Sequence, residues 1–478
     1  MKILFTGSPG TGKTFSMVKT IKEMIDNGEI ETFKIIAPTR VSKEAVLNAM
    51  ISNDIFDENA VSTIHSFCFS KQERKQVWTE DNDEIFYRKY NLKFIPGLGI
   101  VDFIYMPVGN KIDYVRRKII NETNMKVNEL KNNKALELIL KFSREIQLTI
   151  KEEIVYKILI EREQIKDSQD MIDFDDMILN AGTSVEEYDL IAVDESQTAP
   201  KFVLEYIRKI MKTKNFFSTC DPTQAINPLS ADLNYLMEYI KKFDKVEVLK
   251  ENKRMAENIV NYVNKVYKRI NPIWEETFSN IKGGEVRIVD YGNLGLVLDK
   301  ADILITFSND AIKRISSFLI EVGVPFLVRS GLEKIERGIW DEEKIRLRDA
   351  LINFINRKCS FEDFQLINKY ASLKLETLEL PKVYEYSFDF IISKIKMDNP
   401  VFGYALERAV RTGRKPIIIS TVHSSQGLTF DSVLVYPKIT SYLKRTFNTY
   451  SAITWYGVAI TRERMKLFIL NSSDTFII

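Results

Sequence analysis

The sequence predicts an α/β protein: two halves built on parallel sheets, each half interrupted by a mainly helical insertion. Three observations carry this expectation. Short apolar runs alternate with helical stretches twice along the chain, with no internal repeat or low-complexity segment. The first run, Lys2-Ile3-Leu4-Phe5-Thr6, leads directly into Gly7-Ser8-Pro9-Gly10-Thr11-Gly12-Lys13-Thr14, and then into apolar residues at helical spacing (Met17, Val18, Ile21, Met24, Ile25). The texture then changes over 71–168, which is rich in Lys, Glu and Asn with helical periodicity at 134–165, and changes again over 331–414.

The eight residues from Gly7 to Thr14 match G-x-x-x-x-G-K-[ST] in full, in the order strand, loop, helix. Such a loop turns backbone N–H groups inward at a helix N-terminus, where positive potential gathers, and so cradles phosphate. Lys13 is placed to reach the β- and γ-phosphates and Thr14 to ligate Mg²⁺. Further on, the apolar run 188–193 ends in Asp194-Glu195-Ser196-Gln197. Adjacent carboxylates after a buried strand suit metal binding through Asp194 and polarisation of an attacking water by Glu195. The run 215–219 leads to Cys220-Asp221-Pro222-Thr223-Gln224, which puts Gln224 near the γ-phosphate.

Between these motifs, 33–37 reads as a second strand followed by Pro38-Thr39-Arg40 and a helix over 42–51. A third strand at 61–63 leads into Ile64-His65-Ser66-Phe67-Cys68. Thr39, Arg40, Thr63 and His65 therefore stand at strand ends, where open α/β sheets bind ligands. A second α/β rhythm starts near Val246 and runs through 303–306, a helix over 311–321, and 325–328. After the break it resumes at 417–420 and 433–435, then closes with a helix through Tyr456-Gly457-Val458-Ala459 and a strand at 466–470. The two histidines of the chain, His65 and His423, both fall at strand ends inside motifs, which favours a nucleic-acid-facing or motif-bridging role for the pair.

Taken in order, these motifs, with Asn252-Lys253-Arg254, Thr421-Val422-His423-Ser424-Ser425-Gln426-Gly427 and Val458-Ala459-Ile460-Thr461-Arg462, resemble a superfamily-1 helicase of the UvrD/Rep branch. Thr63-Ile64-His65-Ser66-Phe67 is similar to that branch's T-x-H-x-F/L segment, and Asp173-Phe174-Asp175-Asp176-Met177 to its D-F-D-D-L segment. The resemblance covers nearly the whole chain and implies two RecA-like P-loop domains. The first comprises 1–70 and 169–249 with the helical insertion 71–168; the second comprises 250–330 and 415–478 with a short insertion 331–414. It also implies an ATP hydrolase and DNA helicase using ATP and Mg²⁺, moving 3′-to-5′ on single-stranded DNA by alternating closure of the two domains.

By the same resemblance Glu195, Gln224, Arg254 and Arg462 are the catalytic set, with both arginines supplied by the second domain. Gly7 to Thr14 and Gly427 bind nucleotide, Thr14 and Asp194 hold the metal, and Thr39, Arg40, Thr63, His65, Thr421 and His423 contact nucleic acid. The chain departs from the family at its base-reading positions. No upstream Gln-containing segment precedes the first strand, Lys253 replaces a stacking Tyr, and Thr429 replaces Glu in Gly427-Leu428-Thr429-Phe430; Phe15 and Tyr267 are candidates to take over the stacking. Ala225-Ile226-Asn227-Pro228-Leu229 lacks the usual aromatic platform. Ser425-Gln426-Gly427 is closer to the opposite-polarity branch, which keeps a 5′-to-3′ helicase as an alternative.

With 478 residues, 45% hydrophobic content and a net charge of +2, the chain has room for several domains but no overall basic character. Any nucleic-acid surface is local. Candidate basic clusters are Arg116-Arg117-Lys118, Lys209 with Lys212 and Lys214, Arg408 with Arg411, Arg414 and Lys415, and Lys444-Arg445 near Tyr442, Phe447 and Tyr450. Three scattered cysteines, no leader and no long apolar run suggest a soluble cytoplasmic protein, or one of the host cytoplasm for a viral member, without a membrane partner. The expected partners are single-stranded DNA and single/double-strand junctions, with a protein partner of replication or repair as a further option. The rival readings are a nucleotide-gated nucleic-acid-binding ATPase that does not unwind and a small-molecule P-loop kinase.

Overall fold

A computed structural model of the 478-residue chain describes every residue except 73–75, 97–105, 186, 227–232, 271–275, 330–338, 426–427, 439–448 and 472–478. The chain divides into two compact units, Met1–Gly284 with Ser441–Thr461, and Glu285–Thr440 with Arg462–Ile478.

In the first unit six strands form one parallel sheet in the order β3-β2-β6-β7-β1-β8. They are β1 (Lys2–Gly7), β2 (Phe33–Ala37), β3 (Val61–Thr63), β6 (Leu190–Val193), β7 (Asn215–Cys220) and β8 (Lys245–Leu249). A two-stranded parallel ribbon of β4 (Gln76–Val77) and β5 (Met171–Ile172) closes the ends of the first insertion. Alternation along β1 shows why the sheet needs helices on both faces. Ile3 and Phe5 pack with Met17, Val18 and Ile21 of helix Lys13–Asp26, while Leu4 packs on the other side with Phe202 and Ile207 of helix Lys201–Ile210. Between β4 and β5, helices Glu80–Arg88, Val108–Thr123, Asn132–Glu145 and Glu152–Ser168 surround a separate core of Trp78, Phe86, Tyr87, Ile112, Leu138 and Leu159.

The second unit holds another parallel sheet, ordered β11-β12-β10-β13-β14-β9. Its strands are β9 (Glu285–Asp290), β10 (Ile303–Thr306), β11 (Phe326–Arg329), β12 (Ile417–Thr421), β13 (Phe430–Tyr436) and β14 (Glu463–Asn471). Helices Glu342–Ile355, Phe361–Tyr370, Phe388–Asp398 and Pro400–Thr412 make up its insertion and share one apolar core with the sheet.

Two details differ from the sequence reading. The run at Val246–Leu249, where the second α/β rhythm reads as starting, closes the first sheet beside β1, inside the bounds 169–249 given to the first domain. The second sheet begins instead at β9, a strand whose charges (Glu285, Arg287, Asp290) mask its apolar residues because it lies at the sheet edge with one side in solvent.

Candidate functional site

Sheet order sets the geometry of the site. β6, β7 and β1 lie side by side and run parallel, so the residues following each of them meet at one carboxyl edge: Asp194 and Glu195, Asp221, and the Gly7–Thr14 loop. β2 and β3 extend the same edge and carry Thr39, Thr63 and His65. The first unit alone therefore assembles two adjoining groups of candidate residues.

Glycine conformation and a close approach to β8 shape the Gly7–Thr14 loop. Gly7 and Gly12 have φ 149° and 82°, and a Cβ on Gly7 would lie 2.5 Å from the Leu249 carbonyl oxygen of β8. Ser8, Pro9, Gly10 and Thr11 form the outer turn, closed by Thr11 N–H and Oγ1 both donating to Ser8 O at 3.3 and 2.9 Å. Lys13 is buried, at 6% exposure. Its Nζ donates to Gly7 O at 3.0 Å and Ser8 O at 3.3 Å, and lies 3.6 Å from Asp221 Oδ2. The ammonium thus sits inside the curl of the loop, held by groups that a phosphate oxygen can replace.

Thr14 Oγ1 donates to Asp194 Oδ1 at 2.8 Å, which joins the two metal candidates. Thr219, on the neighbouring strand β7, donates to the same oxygen at 2.7 Å and accepts the Glu195 N–H at 2.7 Å. Burial and the adjacent Glu195 charge push the Asp194 carboxyl up to about 7, against the pull of Thr219, Thr14 and Lys13. An all-oxygen donor set carrying charge that the protein leaves under-compensated fits a hard divalent cation such as Mg²⁺, whose other ligands are water and phosphate oxygens. Among the described residues no cluster of three or more His, Cys, Asp or Glu forms a self-sufficient metal cage.

Glu195 has φ 50° and ψ 40°, a left-handed conformation that costs a non-glycine residue about 1 kcal/mol and concentrates at functional sites. Gln197 Nε2 donates to Glu195 Oε2, and Gln197 Oε1 accepts the Asp221 N–H at 3.0 Å. Gln224 lies in a short 3₁₀ turn after β7, with Nε2 donating to Asp221 Oδ2 at 2.7 Å. Thr219 and the bridging role of Gln197 went unread in the sequence, since a Thr inside an apolar strand and a Gln after two carboxylates carry no signal until the strands are paired.

Arg254, expected on the second half, belongs to the first compact unit. The turn that carries it touches the loop, and its Nη1 donates to Thr461 O at 3.4 Å. Arg462 belongs to the second unit, where it is 2% exposed and its carbonyl accepts the Phe430 N–H at 2.8 Å. It precedes β14, at that strand's amino end, whereas Thr421 and His423 stand at the carboxyl end of β12, on the other edge of the second sheet. Gly427 and Gln426, with Asn227 to Leu229 and Lys444-Arg445, lie outside the described residues.

The second group lines a cleft of about 640 Å³ bounded by Thr39, Arg40, Lys43, Thr63, His65 and Phe174. Thr39 caps helix Arg40–Ile51 and Thr63 caps helix Ile64–Phe69, accepting the Ser42 and Ser66 N–H at 3.1 and 3.3 Å. Thr421 accepts the Ser424 N–H at 3.2 Å in a turn that follows β12, so the Thr-x-x-Ser bond recurs at three strand ends, twice as a helix cap. The His65 ring meets the Phe174 ring edge-on at 5.2 Å, and Phe174 is 46% exposed. Burial lowers the His65 pKa, only partly offset by Asp175, so the imidazole is neutral at physiological pH.

Two of the four basic clusters suggested by sequence are engaged in contacts within the fold. Arg116 is buried against Asp113, Asp173 and Asp175, Arg117 pairs with Asp113 at 2.9 Å, and Lys118 stands over the Tyr114 ring. Arg408 donates to Glu321 O, Arg411 pairs with Asp389 and Glu407, and Arg348 donates to Arg414 O, all within the second unit. Lys209, Lys212 and Lys214 are exposed. The D-F-D-D segment is also structural. Asp173, Asp175 and Asp176 bind Arg116, Arg162 and Lys166 and tie the first insertion to the sheet, and Asp173 caps helix Phe174–Leu179.

Two solved structures are similar along the chain. One is an arterivirus nonstructural protein 10 (helicase), at TM-score 0.39 and 11% identity over 99% of this chain and 60% of that one. The other is the same type of protein in complex with DNA, at TM-score 0.38 and 12% identity over 98% and 60%. This chain thus spans 60% of the length of those chains. No curated protein matches it in sequence. Residues 1–244, which include the cradle, the carboxylate pair and the cleft, match the family model of the UvrD/REP helicase N-terminal domain, and the chain belongs to that family of superfamily-1 helicases.

Proposed function

We propose that the protein is an ATP-driven translocase that moves 3′-to-5′ on single-stranded DNA and unwinds duplex ahead of it. Its two α/β units are proposed to act as RecA-like domains that tighten alternately on the strand as nucleotide is bound and hydrolysed. The observation that carries this reading is the shared carboxyl edge of the first sheet, where the Lys13–Asp194–Glu195 group adjoins the Thr39–Thr63–His65 cleft. The two groups are joined through β6 and β2, which are hydrogen-bonded neighbours.

In this reading Lys13 and the loop N–H groups bind the triphosphate, and Thr14 and Asp194 hold a divalent cation. When bound, that cation neutralises charge developing on the transferred phosphoryl group. Glu195, aimed by its left-handed backbone and by Gln197, takes the proton of the attacking water. Gln224, Arg254 and Arg462 serve phosphate contacts. Thr39, Arg40, Thr63, His65, Thr421 and His423 grip the strand, with capped helix N-termini facing its phosphates.

The test is strand displacement with 3′-tailed and 5′-tailed duplexes, with and without ATP, together with the ATPase rate. Unwinding of the 3′-tailed substrate alone is expected. Hydrolysis is expected to rise with single-stranded DNA and the stimulation to fall with salt, as counterions compete for the phosphate contacts. An ATPase rate that ignores DNA at low salt would defeat the reading, and hydrolysis without displacement would leave a nucleotide-gated binder.

Base selectivity is expected to be weak. Tyr267 is fully buried against Gly457, where an added Cβ would lie 2.6 Å from its hydroxyl, so it is closed to a nucleotide. Phe15, next to Thr14, is 39% exposed, with the Lys253 ammonium 5.9 Å from its ring centroid. A ring face and an ammonium impose no pattern of donors and acceptors on a base, so mismatched bases strand no polar group. GTP, CTP and UTP are expected to give kcat/KM within about tenfold of ATP, which is ~1.4 kcal/mol. An ATP preference above about a hundredfold would show a base-reading pocket.

A further inference from the structure

The phosphate loop does not keep its shape alone. After β8 the chain turns back across it, and Asn252, only 1% exposed, meets the loop from outside. Asn252 Nδ2 donates to Pro9 O at 2.7 Å, and the adjoining Lys253 N–H donates to Gly10 O at 2.9 Å. The other end of the same amide faces the opposite way: Asn252 Oδ1 accepts the N–H groups of Arg254 at 3.0 Å and Met255 at 2.9 Å. One side chain therefore holds the outer turn of the loop with its donor and the turn bearing Arg254 with its acceptor.

Two neighbours are fitted to this strap. Gly10 has φ 90°, and a Cβ there would lie 2.8 Å from both Arg254 Cβ and Asn252 Oδ1, so the loop glycine is required for the strap to approach. Ser8 Oγ donates to Thr277 Oγ1 at 3.3 Å, and Thr277 is gripped by Asn264 of helix Glu257–Ile270, with Asn264 Nδ2 donating to Thr277 O at 2.7 Å. Asn252 itself is fixed by its N–H donating to Phe278 O at 2.7 Å.

We infer that Asn252 is a positioning residue that registers Arg254 against the phosphate loop, so that binding of a nucleoside triphosphate in the loop and presentation of the arginine are one geometric event. The inference rests on the ATPase reading of the site. The competing explanation is local. An oxygen accepting from the second and third following N–H groups is a turn-capping arrangement that Asp, Ser or Thr performs equally well. The two explanations part at aspartate. Asn252→Asp keeps the acceptor for Arg254 and Met255 but sets a carboxylate oxygen against the Pro9 carbonyl, where a donor is required.

The experiment is steady-state ATP hydrolysis with saturating single-stranded DNA for the full chain, Asn252→Asp, Arg254→Ala and the double variant, with circular dichroism as the fold check. Asn252→Asp is expected to lower kcat/KM at least tenfold in the parent. In the Arg254→Ala background it is expected to lower kcat/KM less than threefold, since no arginine remains to be registered. Asn252→Ala, which buries no charge, runs the same cycle should the aspartate variant fail to fold. Parent-like activity of Asn252→Asp would show a mere turn cap, and equal losses in both backgrounds would show support of the loop alone; either overturns the inference. A parent chain that hydrolyses no ATP would defeat the ATPase reading itself, which separates that failure from this one.

Discussion

Lys13→Ala is expected to lower DNA-stimulated ATP turnover by about a hundredfold or more, the scale on which preorganised charge at a reacting group acts. The cost in folding is smaller. Lys13 is a buried side chain that satisfies Gly7 O and Ser8 O and faces Asp221, and losing those bonds costs about 1–2 kcal/mol because water enters an open loop in their place. Activity assays and thermal melts separate the two effects, and turnover within tenfold of the parent would remove Lys13 from the phosphate site. Glu195→Gln keeps the shape of the side chain, so nucleotide binding is expected to persist while turnover falls. An unchanged rate would mean that the base lies elsewhere.

The second large effect concerns the first insertion. Arg162, at 1% exposure, donates to Asp83 at 2.7 Å and to Glu163 and Asp173 at 2.9 Å, and its guanidinium lies over the Trp78 ring at 5.5 Å. Arg162→Ala leaves those carboxylates buried with less compensation and is expected to cost about 3–5 kcal/mol, read as a fall in the urea midpoint. A loss under about 1 kcal/mol would place the cluster in water. The same network predicts acid sensitivity. Burial alone would raise Asp113 and Asp173, but Arg117, Arg116 and Arg162 bring Asp113 down to about 2, and Arg116, Arg162 and Lys166 hold Asp173 well below the usual range. Both folded-state values lie under the ordinary 3.8, so this stability is complete above about pH 4 and is lost as pH falls toward about 2. Urea midpoints at pH 5, 4 and 3 check the sign, and Asp173→Asn is expected to flatten the slope.

What was legible in the sequence was what lies contiguous along it. The candidate phosphate loop is eight consecutive residues, and a strand such as β6 is apolar without interruption because both faces are covered. Partners brought together by the fold were not legible. Thr219 meets Asp194 because β7 inserts between β6 and β1, and Asn252 meets Pro9 because β8 lies beside β1. The run Arg116-Arg117-Lys118 read as a candidate nucleic-acid surface, yet its arginines are paired with carboxylates from Asp113 one turn earlier and from Asp173 and Asp175 beyond the insertion. Charge density along a chain says nothing about which opposite charges fold onto it.

The Thr-x-x-Ser caps carry a further consequence, for which substitutions those strand ends tolerate. Aspartate caps a helix as well as threonine does and suits the positive end of its dipole, so on stability alone Thr39→Asp is at worst neutral. Under the proposed function that carboxylate would stand where the polynucleotide's phosphates approach, and the variant is expected to stay folded while its affinity for single-stranded DNA, followed by fluorescence anisotropy, falls. A hydroxyl cap satisfies the helix without adding negative charge to a first turn that, after Thr39, carries Arg40 and Lys43. Under that reading, the hydroxyls of Thr39 and Thr63 cap their helices without setting a carboxylate beside the strand's phosphates.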